Sequence, residues 1–137
     1  MTSKEKKLGR VVVVMGGTSA EREVSLMSGS GVLKALRDAR VDAEVFDPQV
    51  QDIEELVSKD YDRAFLILHG KGGEDGVIQG LMEYIKLPYT GSGVFASAIS
   101  IDKVMTKKVW ESIGIPVPRG TTVTADSNMA EIIRLRS

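Results

Sequence analysis

The 137-residue chain has a length typical of one domain. Its 18 basic and 19 acidic residues almost balance, which disfavours a nucleic acid or an anionic membrane as partner. The absence of cysteine excludes disulfides and cysteine-ligated metals, and the single histidine argues against a zinc site. No apolar stretch approaches the roughly 20 residues of a membrane span, so we expect a soluble, cytoplasmic protein.

Strand and helix patterns alternate after a polar tail at residues 1–9. Val11–Met15 and Ala64–Leu68 are apolar throughout, as strands buried on both faces are, and glycines follow both runs. Shorter strands are predicted at Ala43–Phe46 and Leu87–Thr90. This alternation favours an α/β fold with a parallel sheet and helices on both of its faces.

Periodic apolar residues predict the helices between these strands. The first helix is predicted to face the sheet with four apolar or small residues: Val24, Met27, Gly31 and Ala35. Further helices are predicted after Asp52, over Ile78–Ile85, over 94–100, and over Lys103–Ile113 with Asp102 as N-cap and Gly114 at its end. A last helix is predicted to begin at Met129, Ile132 and Ile133, and because the sequence stops at Ser137 we expect a domain that is cut short.

Three glycine-bearing loops follow predicted strands, at residues 16–23, 69–76 and 90–93. The carboxyl ends of parallel strands share one edge of a sheet, where ligands bind. Glycines let backbone N–H groups approach a ligand, and the charged side chains would contact an ammonium, a carboxylate or a phosphate. A small zwitterionic or phosphorylated substrate fits these loops. They match neither the dinucleotide-binding glycine pattern nor a Walker A loop.

Single residues in these loops also have structural interpretations. Thr18 to Glu21 spells the capping-box pattern T-x-x-E, and local sequence alone favours capping for Glu21. His69 is open to interpretation as an ordinary hydrogen-bonded residue at a strand end. Lys103 and Lys107, four apart, fit a solvated helix face. Taken singly, the residues leave both interpretations open.

The combination of motifs is more specific. The segments GGTSAEREVSLMSG and LHGKGGEDGVIQGLMEYIKLPYTGSGVFASAISIDK resemble the N-terminal part of bacterial D-alanine–D-alanine ligases, over about residues 11–117. These enzymes belong to the ATP-grasp superfamily. The resemblance implies a three-layer, Rossmann-like substrate-binding domain over residues 10–102. It also implies that residues 103–137 begin an ATP-grasp domain that is incomplete in this chain.

The resemblance implies a reaction as well. Such enzymes use ATP and Mg²⁺ to phosphorylate the carboxylate of one D-alanine, and the amine of a second D-alanine attacks the acyl phosphate. The product is a dipeptide for peptidoglycan synthesis, and family members are typically homodimers. The metal ligands and the loop that closes over the substrates are expected outside this chain, which should therefore not turn over ATP alone.

Roles for individual residues follow from the same resemblance. Glu21 would bind the ammonium of the first D-alanine, and Val24 would line the pocket for its side chain. His69 would lie beside its carboxyl group and stabilise charge during transfer, with Gly70 keeping the loop close to the substrate. Lys103 would contact the ATP phosphates. Two neighbouring carboxylates are expected to order the second loop: Glu74 and Asp75.

Two other functions stay open. A related ligase would join D-alanine to D-lactate or D-serine, although SAERE and HGKGGEDG resemble the plain dipeptide enzymes more. A non-catalytic module would bind a small molecule or mediate dimerisation. That module predicts that Glu21→Gln leaves ATP consumption unaltered, whereas the enzyme predicts a severe loss.

Overall fold

A computed structural model describes residues 8–127 together with residues 133 and 134. Its centre is strand β1 (Arg10–Val14), whose four valines are all buried. Strands β2 (Asp42–Phe46) and β3 (Arg63–Leu66) flank it in the order β2-β1-β3, and both pair with it in parallel. The parallel sheet predicted from the apolar runs is confirmed.

Five helices follow the strands within the described residues: α1 (Arg22–Asp38), α2 (Ile53–Ser58), α3 (Val77–Tyr84), α4 (Val94–Ile101) and α5 (Lys103–Ser112). Val12 and Val14 join one core cluster with residues of α2 and α3. The other face of β1 turns to α1, because Met15 packs against Gly29 of that helix. Helices therefore cover both faces of the sheet, and the predicted three-layer α/β fold is confirmed.

The face that α1 turns to the sheet is not the predicted one. The residues predicted to face the sheet are exposed instead: Val24, Met27, Gly31 and Ala35, with Met27 at 72%. Ser25 and Gly29 are buried in their place. A Cβ on Gly29 would collide with Met15, so the close approach of helix and sheet admits small residues only. The predicted face was chosen from the periodicity of the apolar residues, whereas the space between helix and sheet determines which face of α1 packs against the sheet.

The predicted strand at Leu87–Thr90 is reduced to a single parallel bridge between Tyr89 and Ala64. The Ala64 N–H donates to the Pro88 carbonyl at 2.8 Å, and the Thr90 N–H donates to the Ala64 carbonyl at 3.1 Å. One step further, the Leu66 N–H donates to the Thr90 hydroxyl at 3.1 Å. A side chain thus replaces the backbone acceptor, which ends the pairing.

The chain divides into two compact units between Ile101 and Asp102. In the second unit, Asp102 caps α5 as predicted, since its carboxylate accepts from the N–H groups of Val104 and Met105 at 2.9 and 3.0 Å. Gly114, with a φ of +78°, follows the helix. That residues 10–102 and 103–137 are a substrate-binding domain and the start of an ATP-grasp domain stays a prediction.

Two of the predicted segments lie near the ends of the chain. Most of the polar tail at residues 1–9 lies outside the described residues, as does most of the helix predicted from Met129 and Ile132, of which only 133 and 134 are described, both helical. In the described part of the chain, no helix is both long and apolar enough to cross a membrane.

Candidate functional site

The loop after β1 turns through two glycines in the left-handed region. Gly16 and Gly17 have φ values of +84° and +76°, and a Cβ on Gly16 would collide with the Asp47 carboxylate. The Gly16 N–H donates to the Ser25 hydroxyl at 2.9 Å, and the Gly17 N–H donates to Asp47 Oδ1 at 3.0 Å. The turn is therefore held from α1 and from the end of β2.

Asp47 and Arg22 form a largely buried ion pair under this loop. Arg22 donates from Nη1 and Nη2 to the two Asp47 oxygens at 3.0 and 2.7 Å, and Nη1 also donates to the Gly17 carbonyl at 2.9 Å. Burial acts to raise the pKa of Asp47, but hydrogen bonds from Arg22 and from the N–H groups of Gln49 and Gly17 outweigh it and lower the pKa. The pair fixes the start of α1 against β2, a role that the sequence motifs did not indicate.

His69 lies at the carboxyl end of β3. Its Nδ1 is 2.9 Å from the Ile67 carbonyl oxygen. A carbonyl oxygen only accepts, so Nδ1 carries a proton, and in the neutral ring Nε2 keeps its lone pair. The buried Ser25 hydroxyl donates to the same carbonyl at 2.7 Å. The ring is therefore oriented by the strand end from which it projects.

Glu21 lies next to the His69 loop. Its Oε1 is 3.0 Å from the position that a Cβ on Gly70 would occupy, so the glycine leaves room for the carboxylate. The Ser19 hydroxyl donates to the His69 carbonyl at 2.7 Å and joins the two loops. Within residues 8–127, the exposed Glu21 carboxylate makes no hydrogen bond or ion pair. Glu21, His69 and Gly70, predicted as site residues from separate motifs, thus lie together.

The capping box that local sequence favoured does not form. Helix α1 begins at Arg22, with Glu21 itself at the N-cap position and without a capping bond from its side chain. The Glu21 N–H donates instead to the Ser19 hydroxyl at 3.1 Å. The interpretation of Glu21 as a capping partner of Thr18 is therefore wrong, and its carboxylate stays available to a ligand.

The second loop is ordered by its own carboxylates, as expected. Glu74 accepts from the Gly70 N–H at 2.8 Å, and Asp75 accepts from the Gly72 N–H at 2.8 Å. Gln79, a buried residue of α3 that no sequence motif indicated, donates from Nε2 to the Gly73 carbonyl at 2.8 Å. Glu74 and Asp75 are thus committed to the loop backbone, whereas the buried Gln79 Oε1 has no hydrogen-bond partner within the described residues.

A cleft of about 230 Å³ opens between the two loops. Its volume lies below the roughly 300–1,000 Å³ of sites for drug-sized ligands, which favours a smaller molecule. Its walls are Gly16, Gly17, Thr18, Ser19, Pro48, Ile53, Leu68, His69, Lys71, Gly72, Val77, Ile78 and Leu81. Lys71 makes no ion pair within the described residues. Glu21, Gly70 and the exposed Val24 are not part of these walls.

Lys103 belongs to the second compact unit, Asp102–Ser137. It lines a groove of about 820 Å³ whose charged residues are mostly basic: Lys103, Lys107, Lys108, Arg119 and Glu111. Such a surface suits phosphate groups, which lysines bind as point charges. No cluster of three or more potential metal ligands occurs among the residues described.

Comparison with known proteins matches residues 47–92 to the family model described as D-ala D-ala ligase N-terminus. Over 133 residues the chain is 53% identical to a D-alanine–D-alanine ligase of Methylibium petroleiphilum, covering 97% of this chain and 42% of that protein. Over 127 residues it is 55% identical to the ligase of Aromatoleum aromaticum, covering 93% and 41%. The resemblance to the N-terminal part of the D-alanine–D-alanine ligases is confirmed.

Solved structures of D-alanine–D-alanine ligases agree with this assignment. The crystal structure of the Bacillus anthracis enzyme complexed with ATP has a TM-score of 0.76 and 36% identity, covering 92% of this chain and 44% of that one. The enzyme from Coxiella burnetii has a TM-score of 0.74 and 27% identity, covering 93% and 48%. The chain spans less than half the length of these D-alanine–D-alanine ligases.

Proposed function

We propose that this chain supplies the wall of a D-alanine–D-alanine ligase that binds the first D-alanine. The complete protein would join two D-alanines at the expense of ATP, through an acyl phosphate, to give the dipeptide used in peptidoglycan synthesis. Support comes from the names of relatives that are 53–55% identical and from the related structure that contains ATP. We further propose a cytoplasmic homodimer.

The observation that carries this proposal is that an unpaired carboxylate adjoins the loop whose basic side chains line the cleft. The Glu21 carboxylate has no partner within the described chain, and it lies beside Gly70, next to His69. Lys71 and His69 line the cleft itself. A free α-amino acid carries an ammonium and a carboxylate on the same carbon atom, and this arrangement offers a group of opposite charge to each.

Glu21 would accept hydrogen bonds from the ammonium, a charge-assisted contact that orients the substrate. Because Nδ1 of His69 donates to the Ile67 carbonyl, contact with a substrate carboxylate is left to Nε2. Nε2 is therefore the ring nitrogen that would face a carboxylate or a developing phosphoryl oxygen. The bound D-alanine would thus be held at both ends.

ATP supplies the phosphoryl group, and Lys103 would neutralise part of its phosphate charge. The lysines and the arginine beside Lys103 fit that role chemically. As the resemblance to these ligases implies, Mg²⁺ would be held by parts of the complete protein outside this chain. Val24 remains a proposed lining residue, although it is 45% exposed here.

The test uses a complete ligase made by joining this chain to the remaining part of the Methylibium petroleiphilum protein. With ATP, Mg²⁺ and D-alanine, we expect ADP and D-alanyl-D-alanine, measured by a coupled assay and mass spectrometry. Glu21→Gln should lower kcat/KM about 100-fold or more, because a misplaced reacting group costs that much. The 137-residue chain alone should consume no ATP.

Glu23→Gln is the matched control, since Glu23 is equally exposed and only two residues away. It should stay within about twofold of the unsubstituted ligase. A complete ligase without dipeptide product, or a Glu21→Gln enzyme as active as the Glu23→Gln control, would contradict the proposed function. Adding D-lactate and D-serine as competing acceptors identifies the second substrate in the same assay.

A further inference from the structure

One serine hydroxyl connects the two loops that carry Glu21 and His69. Ser19 Oγ donates to the His69 carbonyl at 2.7 Å and accepts from the Glu21 N–H at 3.1 Å. We propose that Ser19 is a positioning residue that sets the spacing between the ammonium-binding and carboxylate-binding groups, an inference that rests on the proposed function. Ser19 would act through Glu21 and His69 rather than on the reacting atoms.

The bond to His69 is what distinguishes Ser19 from an ordinary turn residue. A serine that accepts from the N–H two residues on is a common local turn, and the Glu21 bond is of that kind. The His69 bond spans 50 residues and joins the loop after β1 to the loop after β3. Loops from separate strands move separately unless such contacts join them.

The remaining contacts make this spacing sensitive to Ser19. The His69 ring is already tied to its strand through the Ile67 carbonyl, which the buried Ser25 also binds. Gly70, at a φ of +67°, leaves just enough room for the Glu21 carboxylate. With the ring fixed, Ser19 is the contact that joins the Glu21 loop directly to the His69 backbone, while Ser25 separately ties α1 to the Ile67 carbonyl. Loss of the hydroxyl would leave the Glu21 N–H and the His69 carbonyl without this shared partner.

Kinetics of the complete ligase test the bridge. Ser19→Ala should reduce kcat/KM about 10- to 100-fold, as expected for two hydrogen bonds, with the KM for the first D-alanine raised more than kcat is lowered. Ser19→Thr keeps the hydroxyl and should recover most of the loss. Ser30→Ala is the matched control, because Ser30 also donates to a carbonyl at 2.7 Å but on the exposed surface of α1.

Equal kinetics of folded Ser19→Ala and Ser30→Ala ligases would overturn the proposal, and so would a Ser19→Thr enzyme as impaired as Ser19→Ala. If Ser19→Ala does not fold, Ser19→Cys replaces it, because a thiol retains the size and donates only weakly. That variant should lose activity by a smaller factor than is expected for alanine. A Ser19→Cys enzyme with unchanged kinetics would again overturn the proposal.

Nuclear magnetic resonance of the 137-residue chain separates this inference from the proposed function. His69 is the only histidine in the sequence, so its imidazole signals are assigned without ambiguity. Ser19→Ala should shift the Glu21 and Gly70 amide signals together with the His69 signals, whereas Ser30→Ala should shift none of them. If these signals shift together but the complete ligase is inactive, the proposed function is refuted and the Ser19 bridge is supported. If the ligase is active but Ser19→Ala does not shift these signals together, only the inference about Ser19 is refuted.

Discussion

The two ends of the sheet use carboxylates differently. Near the amino ends of the strands, Glu44 accepts from Arg10, from Tyr61 at 3.0 Å and from Lys59 at 3.2 Å, and the Arg10 guanidinium lies 5.2 Å from the centre of the Tyr61 ring. At the carboxyl ends, Glu21 makes no such contact within the described residues. Glu44 is bound by three side chains of the protein, whereas the Glu21 carboxylate is exposed and unpaired within the described residues.

The difference separates a carboxylate that is paired within the fold from one that we propose binds a ligand. Hydrogen bonds from Arg10, Tyr61 and Lys59 lower the pKa of Glu44 to about 2, against an ordinary value of 4.5. Asp47, beside the candidate site, also has internal partners, so the site itself contains both kinds of carboxylate. Three substitutions measured in the 137-residue chain should separate these kinds by their effect on stability.

The largest effect should come from Asp47→Ala. It leaves Arg22 half-buried without its partner and removes the acceptor of the Gly17 N–H, which should lower the free energy of unfolding by about 2–3 kcal/mol. Urea denaturation followed by circular dichroism measures this. Asp38→Ala, which breaks an exposed pair with Lys34, is the control and should change little. An equal loss of unfolding free energy in both variants would show that the Asp47–Arg22 pair stabilises the fold no more than an exposed pair does.

Glu44→Gln should have a smaller effect, which depends on pH. Because the pKa of Glu44 is lowered to about 2 by folding, its charge stabilises the protein fully above about 4.5, and this stability is lost as pH falls toward 2. Glutamine does not titrate, so the variant should be less stable than the original near pH 7 and should lose less between pH 5 and 2. Thermal unfolding at several pH values tests this, with exposed Glu54→Gln as the control. Parallel curves for Glu44→Gln and the original chain would contradict it.

Glu21→Gln should have the smallest effect on stability, although it has a large expected effect on activity. Its exposed carboxylate has no internal partner, so the free energy of unfolding should change by less than about 0.5 kcal/mol. The same urea experiment measures it. A loss as large as that of Asp47→Ala would show that Glu21 supports the fold, and the contrast between the two carboxylates would disappear.

The sequence predicted the sheet because continuous apolar runs such as Val11–Met15 have few other stable locations. It failed where space rather than polarity decides. Helix α1 turns Ser25 and Gly29 to the sheet and leaves Val24 exposed, an outcome that hydrophobic periodicity does not express. The strand predicted at Leu87–Thr90 was shortened because a threonine hydroxyl took the place of a backbone acceptor.

For the candidate site, the motifs indicated the residues that we propose contact the ligand, but they did not indicate the residues that hold the two loops in place. Glu21 and His69 were singled out, whereas Ser19, Arg22 and Asp47 were not. These three act through contacts with residues distant in sequence, and a single sequence does not show such pairings. A weak signal existed in Asp47, a charged residue directly after a buried strand and before a proline.

The hydrogen bond from the Leu66 N–H to the Thr90 hydroxyl bears on aggregation at high protein concentration. A sheet edge with a free row of backbone groups invites strands of other molecules, a common origin of aggregation. Beyond β3 that row is taken up by Pro88, Tyr89 and Thr90, of which proline has no N–H to offer and threonine closes the last donor with its side chain. An incoming strand would meet this short segment instead of the open edge of β3, which disfavours edge-to-edge association there.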